Sequence, residues 1–161
     1  REAFLETDEN VAPMAELLLF AADRAQHVEF LIKPAITEGK IVISDRYADA
    51  TTAYQGAGRG FDATTIKQVI KLATGGLKPD LTLFFDLPVS VGLQRTTKRD
   101  ESGELKNRMD KENIEFYERV REAYHAIIAQ EPKRFRVIDA TLSMAEVHAA
   151  ALKFLTDYLQ K

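Results

Sequence analysis

The chain has 161 residues, enough for one domain of ordinary size with a sizeable core. Its content of 45% hydrophobic and 29% charged residues argues against an intrinsically disordered chain. A net charge of −3 provides no general attraction to nucleic acid or anionic membranes, cysteine is absent, and no apolar run is long enough to cross a bilayer. We therefore expect a soluble, cytoplasmic protein that binds neither nucleic acid nor membrane.

The first predicted elements are helical. The opening segment REAFLETDEN is typical of the last turns of an amphipathic helix, so we expect further residues, including a strand, before Arg1. From Pro13, apolar residues recur at helical spacing until Gly39, which predicts a long core helix. Phe20 and Arg24 lie one turn apart on one edge of this helix. They indicate either a stacking platform for a base or an ordinary core edge with a solvated arginine.

A charged pair follows the next predicted element. The apolar run at residues 41–44 predicts a buried strand, and Asp45 and Arg46 come directly after it, before a predicted loop that continues to Gly60. Ligands of open α/β sheets bind beyond the carboxyl ends of the strands. Asp45 offers oxygen atoms suited to Mg²⁺, and Arg46 offers a planar fork for two hydrogen bonds to a phosphate. A salt bridge at the end of a strand remains the alternative.

The rest of the chain alternates between helical and strand patterns. We predict a helix from Asp62, a strand at 81–85, a helix from Pro88, a polar loop at 95–108, a helix from Glu112, a strand at 135–138 and a final helix with a capping box of Ser143 and Glu146. This order predicts an α/β fold, a three-layer parallel sheet with helices on both faces. We expect a single domain over residues 1–161, with a short lid loop at about 95–110.

Several segments resemble the thymidylate kinases of the bacterial type, which are P-loop nucleoside monophosphate kinases. The matching segments are LLLFAADR at 17–24, SDRY at 44–47, AYQGAGRG at 53–60, DLP at 86–88, the basic lid, and FYERVREAY at 116–124. The resemblance implies a P-loop NTPase-like fold and transfer of the γ-phosphoryl group of ATP to thymidine monophosphate (dTMP), in dTTP synthesis. It also implies Mg²⁺ as cofactor and a homodimer formed through helices.

The resemblance further implies which residues hold the acceptor nucleotide. Phe20 would stack on thymine, and Arg24 would contact the base. Thr52 would face the pyrimidine edge, and Tyr54 would crowd the sugar and disfavour a ribose 2′-hydroxyl. Arg46 would bind the acceptor phosphate.

A second set of residues is implied for catalysis and for the donor. Asp45 would work beside the metal and Arg46 would act at the transferred group. Arg99 and Arg108 on the lid would supply charge to the transition state, with Arg95 as third candidate. The segment Asp139, Ala140 and Thr141 would lie beside the base of ATP, and Arg95 would also bind ATP.

One part of the family pattern is missing from these residues. No G-x-x-x-x-G-K-[ST] sequence occurs in the chain, so we expect the phosphate loop and its strand to lie before Arg1. We accordingly expect these 161 residues alone to be inactive. Two other functions stay open at this stage, a deoxynucleoside kinase and a non-catalytic nucleotide-binding domain.

Overall fold

The computed structural model describes residues 11–101 and 112–160, which form two compact units. The first unit contains residues 11–78 and 112–124, and the second contains residues 79–101 and 125–160. Among these residues, no helix combines the length and apolar character needed to cross a membrane. The single domain over 1–161 with a lid at 95–110 stays a prediction.

The described elements are mostly helices. In chain order they are α1 (Pro13–His27), a first π-helical turn (Val28–Ile32), α2 (Lys33–Thr37), α3 (Ala48–Thr51), a second π-helical segment (Thr52–Gly58), α4 (Ala63–Thr74), β1 (Thr82–Asp86), α5 (Val89–Glu101), α6 (Ile114–Gln130), β2 (Phe135–Asp139) and α7 (Met144–Leu159).

The long helix predicted from Pro13 is present as a continuous run of α1, the first π-helical turn and α2. Gly39 ends it with a φ of +74°, a conformation that glycine adopts without a steric penalty. The N–H groups of Gly39 and Lys40 donate to the carbonyls of Ile36 and Ala35, both at 2.9 Å. The sequence therefore marked the end of this run correctly.

The strand predicted at residues 41–44 is wrong. These residues have no regular structure, and the side chains of Ile41 and Ile43 are 71% and 85% exposed. A strand exists only when its backbone groups pair with a neighbouring strand. Among the described residues the two strands, β1 and β2, pair with each other in the second unit.

The loop predicted from Asp45 to Gly60 is also largely helical, in α3 and the second π-helical segment. Gly58 lies in this segment because of packing: a Cβ atom there would come within 2.6 Å of Cε2 of Phe116. Ala53, Phe116 and Val120 form a buried cluster between this segment and α6. The glycines that suggested a loop instead permit close contact between two helical segments.

The second unit confirms the α/β class. β1 and β2 are parallel, with Thr82 opposite Phe135 and Asp86 opposite Asp139. The capping box predicted for the last helix is present at Ser143 and Glu146. The strands predicted at 81–85 and 135–138 are thus confirmed within one residue.

The polar segment at residues 95–108 differs from its prediction where it is described. Residues 95–101 belong to α5 and are not a loop. A helix satisfies its backbone hydrogen bonds locally, so a polar segment can extend a helix that began with apolar residues. Arg99 therefore lies on a helix, and Arg108 lies outside the described residues.

Candidate functional site

Arg46 is held in an uncommon backbone conformation. Its φ of +65° makes it the one non-glycine residue with positive φ in the described part of the chain. The hydroxyl of Ser44 donates to the Arg46 carbonyl at 3.1 Å, which closes the turn. Such strained residues persist where their surroundings fix them, and they cluster at functional sites. No motif in the sequence indicated this strain.

The side chain of Arg46 lies on an aromatic ring. Its Cζ atom is 4.0 Å from the ring centroid of Tyr54, which is in the second π-helical segment. A guanidinium stacked in this way keeps its N–H groups at its edge, where they can donate in the plane of the group. Arg46 is also exposed, so the edge of its guanidinium can donate to an anion.

A second arginine and ring pair lies on the same unit. Cζ of Arg24 is 4.9 Å from the ring centroid of Tyr47, and the hydroxyl of Tyr47 donates to the carbonyl of Leu77 at 3.3 Å. Burial raises the pKa of Tyr47, and the charge of Arg24 lowers it by less. Phe20 lies one turn before Arg24 on α1, and both side chains are half-buried, as their position at the core edge predicted.

Tyr124 connects these two pairs and was not among the predicted site residues. Burial is the largest effect on this phenol, and it raises the pKa of Tyr124 well above its ordinary value. The charges of Arg46 and Arg24 lower that pKa, while Tyr54 and Asp49 raise it. All four residues thus act on one buried hydroxyl. The FYERVREAY segment contained this tyrosine, but helical spacing alone marks it as a core residue.

Glu16, on α1 one turn before Phe20, forms a buried ion pair with Arg59. The carboxylate of Glu16 is 1% exposed, and it accepts from Nε and Nη2 of Arg59, each at 3.1 Å. The amide of Gln55 donates to the same carboxylate at 3.1 Å. Nη1 of Arg59 also contacts Glu112 at 2.7 Å. The sequence did not predict this network, because Glu16 and Arg59 are 43 residues apart.

The environment of Arg59 favours its charged form. Burial lowers the pKa of this guanidinium, but the hydrogen bonds and charges of Glu16 and Glu112 together raise it by more, so the net shift is upward. Cζ of Arg59 also lies 5.0 Å from the ring centroid of Phe116. Phe116 in turn meets the ring of Tyr54 edge to face, with centroids 6.0 Å apart. Arg59 is therefore linked by contact to the ring that carries Arg46.

The residues predicted near ATP come together in the second unit. Nη1 of Arg95 donates to the carbonyl of Ala140 at 3.0 Å. The carboxylate of Asp139 accepts from the hydroxyl and N–H of Thr141, at 2.6 and 2.8 Å, and these bonds lower the pKa of Asp139. Asp139 ends β2 opposite Asp86 at the end of β1, and Ala140 and Thr141 follow it. This is the edge of a parallel sheet where ligands bind.

Two of the remaining predicted residues can be placed. Thr52 is half-buried at the start of the second π-helical segment. Asp45 is exposed beside Arg46, and no group of three or more potential metal ligands occurs in the part of the chain that the structure describes. The side chain of Arg99 and the whole of Arg108 lie outside the part of the chain that the structure describes, so their roles stay predictions.

The strain at Arg46 can be tested with two variants. Arg46→Ala and Arg46→Gly both remove the guanidinium, but alanine keeps a Cβ atom in the left-handed region. The left-handed penalty for alanine is about 1–2 kcal/mol, and the greater freedom of glycine in the unfolded chain offsets about half of it. We expect Arg46→Gly to be the more stable variant by about 0.5–1 kcal/mol in urea unfolding.

A matched control measures the effect of an alanine-to-glycine exchange on stability where the backbone is not strained. Ala22 is exposed within α1, where glycine has no steric advantage. Ala22→Gly should destabilise the protein by about 0.5–1 kcal/mol. If Arg46→Gly were less stable than Arg46→Ala, the strain at this position would not exist.

The chain is similar in sequence to known proteins of one family. The family model described as thymidylate kinase matches residues 1–151. A thymidylate kinase of Desulfovibrio desulfuricans is 45% identical over 154 residues, which cover 94% of this chain and 71% of that protein. One from Synechococcus is 49% identical over 149 residues, with 92% and 68% covered.

A structural relative agrees with the sequence relatives. The crystal structure of a thymidylate kinase from Ehrlichia chaffeensis matches with a TM-score of 0.72 and 31% identity, and the match covers 99% of this chain and 72% of that one. The family match takes in the segments that contain Phe20, Arg24, Arg46 and Tyr54. The chain belongs to the thymidylate kinase family.

Proposed function

We infer that the protein transfers the γ-phosphoryl group of ATP to dTMP and so forms thymidine diphosphate. Membership of the thymidylate kinase family supports this reaction. The observation in the structure that carries the proposal is the Arg46 guanidinium, which is held on the Tyr54 ring with its edge available for a phosphate. We also propose that the enzyme is located in the cytoplasm, where ATP is available. Recovery of the enzyme in the soluble fraction of lysed cells would support that location.

The acceptor nucleotide is proposed to bind among the side chains of the first unit. Phe20 stacks on thymine and Arg24 donates to the base, because both lie on one side of α1 at a spacing of one turn. Thr52 faces the pyrimidine edge, and Tyr54 crowds the position of a ribose 2′-hydroxyl. Arg46 binds the phosphate through two parallel hydrogen bonds. These roles rest on the family pattern together with the two arginine and ring contacts.

The donor nucleotide is proposed to bind in the second unit. Arg95 fixes the carbonyl of Ala140, and Thr141 fixes the carboxylate of Asp139. These bonds hold the turn after β2 in one conformation, which suits contact with the flat base of ATP. The support for this site is the hydrogen bond from Arg95 of α5 to the turn of Asp139, Ala140 and Thr141, since all four residues were predicted to bind ATP.

Catalysis in this proposal consists of positioning and charge neutralisation. The transferred phosphoryl group spreads negative charge over its oxygens, and the protein has little covalent chemistry to perform. Arg46 neutralises the acceptor side, and Arg99 and Arg108 neutralise the transferred group from the lid. The support for the two lid arginines is the family pattern alone.

We predict that two variants separate binding from turnover. Phe20→Leu removes the ring but keeps an apolar side chain, so it should raise KM for dTMP about tenfold, since base stacking contributes about 1–3 kcal/mol. Arg46→Ala removes charge at the reacting phosphate and should lower kcat about 100-fold. Both are measured in a coupled ADP assay, with the protein expressed from its complete gene.

The controls for this test come from the same chain. Phe85 lies on β1 in the second unit and is 49% exposed, so Phe85→Leu should leave KM for dTMP unchanged. Thymidine replaces dTMP in a second assay. A preference for thymidine would contradict the phosphate role of Arg46 and favour a deoxynucleoside kinase. Normal kinetics in both site variants would place the nucleotide elsewhere.

Mg²⁺ is proposed to bind beside Asp45. The carboxylate is exposed next to the proposed phosphate ligand Arg46, and magnesium sites often use one or two carboxylates with substrate phosphates and water. A lone carboxylate therefore fits this ion. When bound, the ion would neutralise charge on the phosphate oxygens of ATP.

The role of Asp45 predicts a change in the magnesium requirement. With one ligand lost, Asp45→Asn should raise the Mg²⁺ concentration for half-maximal rate about tenfold at saturating ATP and dTMP. Asp80 is likewise exposed, and Asp80→Asn serves as the control of equal charge change. Identical magnesium curves for wild type and Asp45→Asn would remove Asp45 from the metal site.

A homodimer formed through the run of α1 and α2 is the last part of the proposal. This run exposes several large apolar side chains, namely Met14, Leu18, Leu19, Phe30, Leu31 and Ile36. Large exposed apolar patches on soluble proteins mark interaction sites. A second copy of the chain is the partner that we propose, because the family pattern favours a dimer through helices.

The dimer predicts a change of mass in solution. Phe30→Asp places a charge on the proposed interface and should give a monomer by light scattering, while wild type gives a dimer. Leu152 on α7 is 55% exposed, and Leu152→Asp should keep the dimer. A monomeric wild type, or a dimeric Phe30→Asp, would contradict this interface.

A further inference from the structure

Three residues of α1 follow one another at intervals of one turn. Glu16, Phe20 and Arg24 are spaced four residues apart, so they lie along one side of the helix. Phe20 and Arg24 are the proposed thymine contacts. Glu16 is the buried member of the series, and its position along α1 determines where the other two side chains are presented.

The partners of Glu16 lie beside the proposed sugar contact. Gln55 follows Tyr54 directly in the second π-helical segment, and its amide donates to Glu16. Arg59 ends that segment, and its backbone N–H donates to the carbonyl of Tyr54 at 2.9 Å. One carboxylate on α1 thus binds two residues that are tied to Tyr54, one by sequence and one by a backbone hydrogen bond.

The geometry of the network is directional. Glu16 uses both oxygens, and Arg59 meets them with two of its nitrogens, at 3.1 Å each. A bidentate pair of this kind fixes both distance and orientation, whereas apolar side chains can slide past one another. Burial of two charges also costs free energy that their attraction does not always recover. The network is therefore better suited to fixing a position than to adding stability.

We propose that Glu16 and Arg59 are positioning residues, which set the spacing between the thymine contacts on α1 and the sugar and phosphate contacts at Tyr54 and Arg46. Neither residue touches the nucleotide. Arg59 acts on Tyr54 through its backbone bond and through Phe116, which lies between the Arg59 guanidinium and the Tyr54 ring. The inference rests on the proposed binding of dTMP in the first unit.

The test is a comparison of the two Michaelis constants. Glu16→Gln keeps the shape of the side chain but turns an amide N–H toward the donors of Arg59 or Gln55. We expect KM for dTMP to rise about tenfold and KM for ATP to stay within about twofold, since small misplacements of substrate contacts have large effects. The assay uses protein from the complete gene, at a temperature well below the Tm of each variant.

A milder variant, Glu112→Gln, tests the same inference if Glu16→Gln does not fold. Glu112 is 23% exposed and contacts the third nitrogen of Arg59, so Glu112→Gln loosens the network without an unpaired charge in the core. It should raise KM for dTMP about two- to threefold. Glu29 forms an exposed ion pair with Lys33 in the same helical run, and Glu29→Gln should change neither constant.

The outcomes separate this inference from the proposed function. A lower Tm with unchanged KM for dTMP would make the network merely structural and overturn the inference, as would equal rises in both constants. If Glu16→Gln does not fold, an unchanged KM for dTMP in Glu112→Gln overturns it. A wild-type protein that does not phosphorylate dTMP would instead overturn the proposed function.

Discussion

The buried pair of Glu16 and Arg59 is the constraint on which the first unit depends. The pair joins residues 43 positions apart and closes a long stretch of helical chain onto α1. Loss of one partner would leave a charge in the interior without its counterion, at a cost of about 3–5 kcal/mol. Gln55 adds a hydrogen bond to Glu16, and Glu112 adds an ion pair to Arg59. A fully bonded network of this kind specifies one arrangement of its helices, and an apolar contact of equal area would specify it less well.

Arg46 adds a second kind of constraint, which is local. Its left-handed backbone aims the side chain back over the Tyr54 ring, and the two groups lie 4.0 Å apart. An arginine on a relaxed backbone would spend rotamer entropy each time it bound a phosphate. The stacked guanidinium has already lost much of that freedom, so binding loses less of it. In the proposed acceptor site, the strain thus contributes to phosphate binding through preorganisation.

The sequence predicted what local signals determine. Asp62 accepts from the N–H groups of Thr64 and Thr65 at the start of α4, and Ser143 with Glu146 caps α7, because capping needs only neighbouring residues. It failed for residues 41–44, where apolar character indicated a strand but pairing depends on another part of the chain. It failed for residues 52–58 because a π-helical segment breaks the usual helical period. The long-range partners in the site, Glu16 with Arg59 and Tyr124 with Arg46, leave no pattern in a single sequence.

The charges of the groups around the proposed acceptor site also determine which protonation state of the nucleotide phosphate they favour. Burial raises the pKa of Tyr47 and of Tyr124, so both phenols remain neutral near neutral pH. Arginine stays protonated throughout this range, and Arg24 and Arg46 therefore keep their positive charge. A phosphate monoester, in contrast, loses its second proton at a pKa of about 6. Of the two phenols, the two guanidiniums and the phosphate, the phosphate is therefore the group that changes charge near neutral pH. The Arg46 guanidinium, as the proposed phosphate ligand, thus favours the dianionic form of the nucleotide, whose oxygens are the better nucleophiles toward the transferred phosphoryl group.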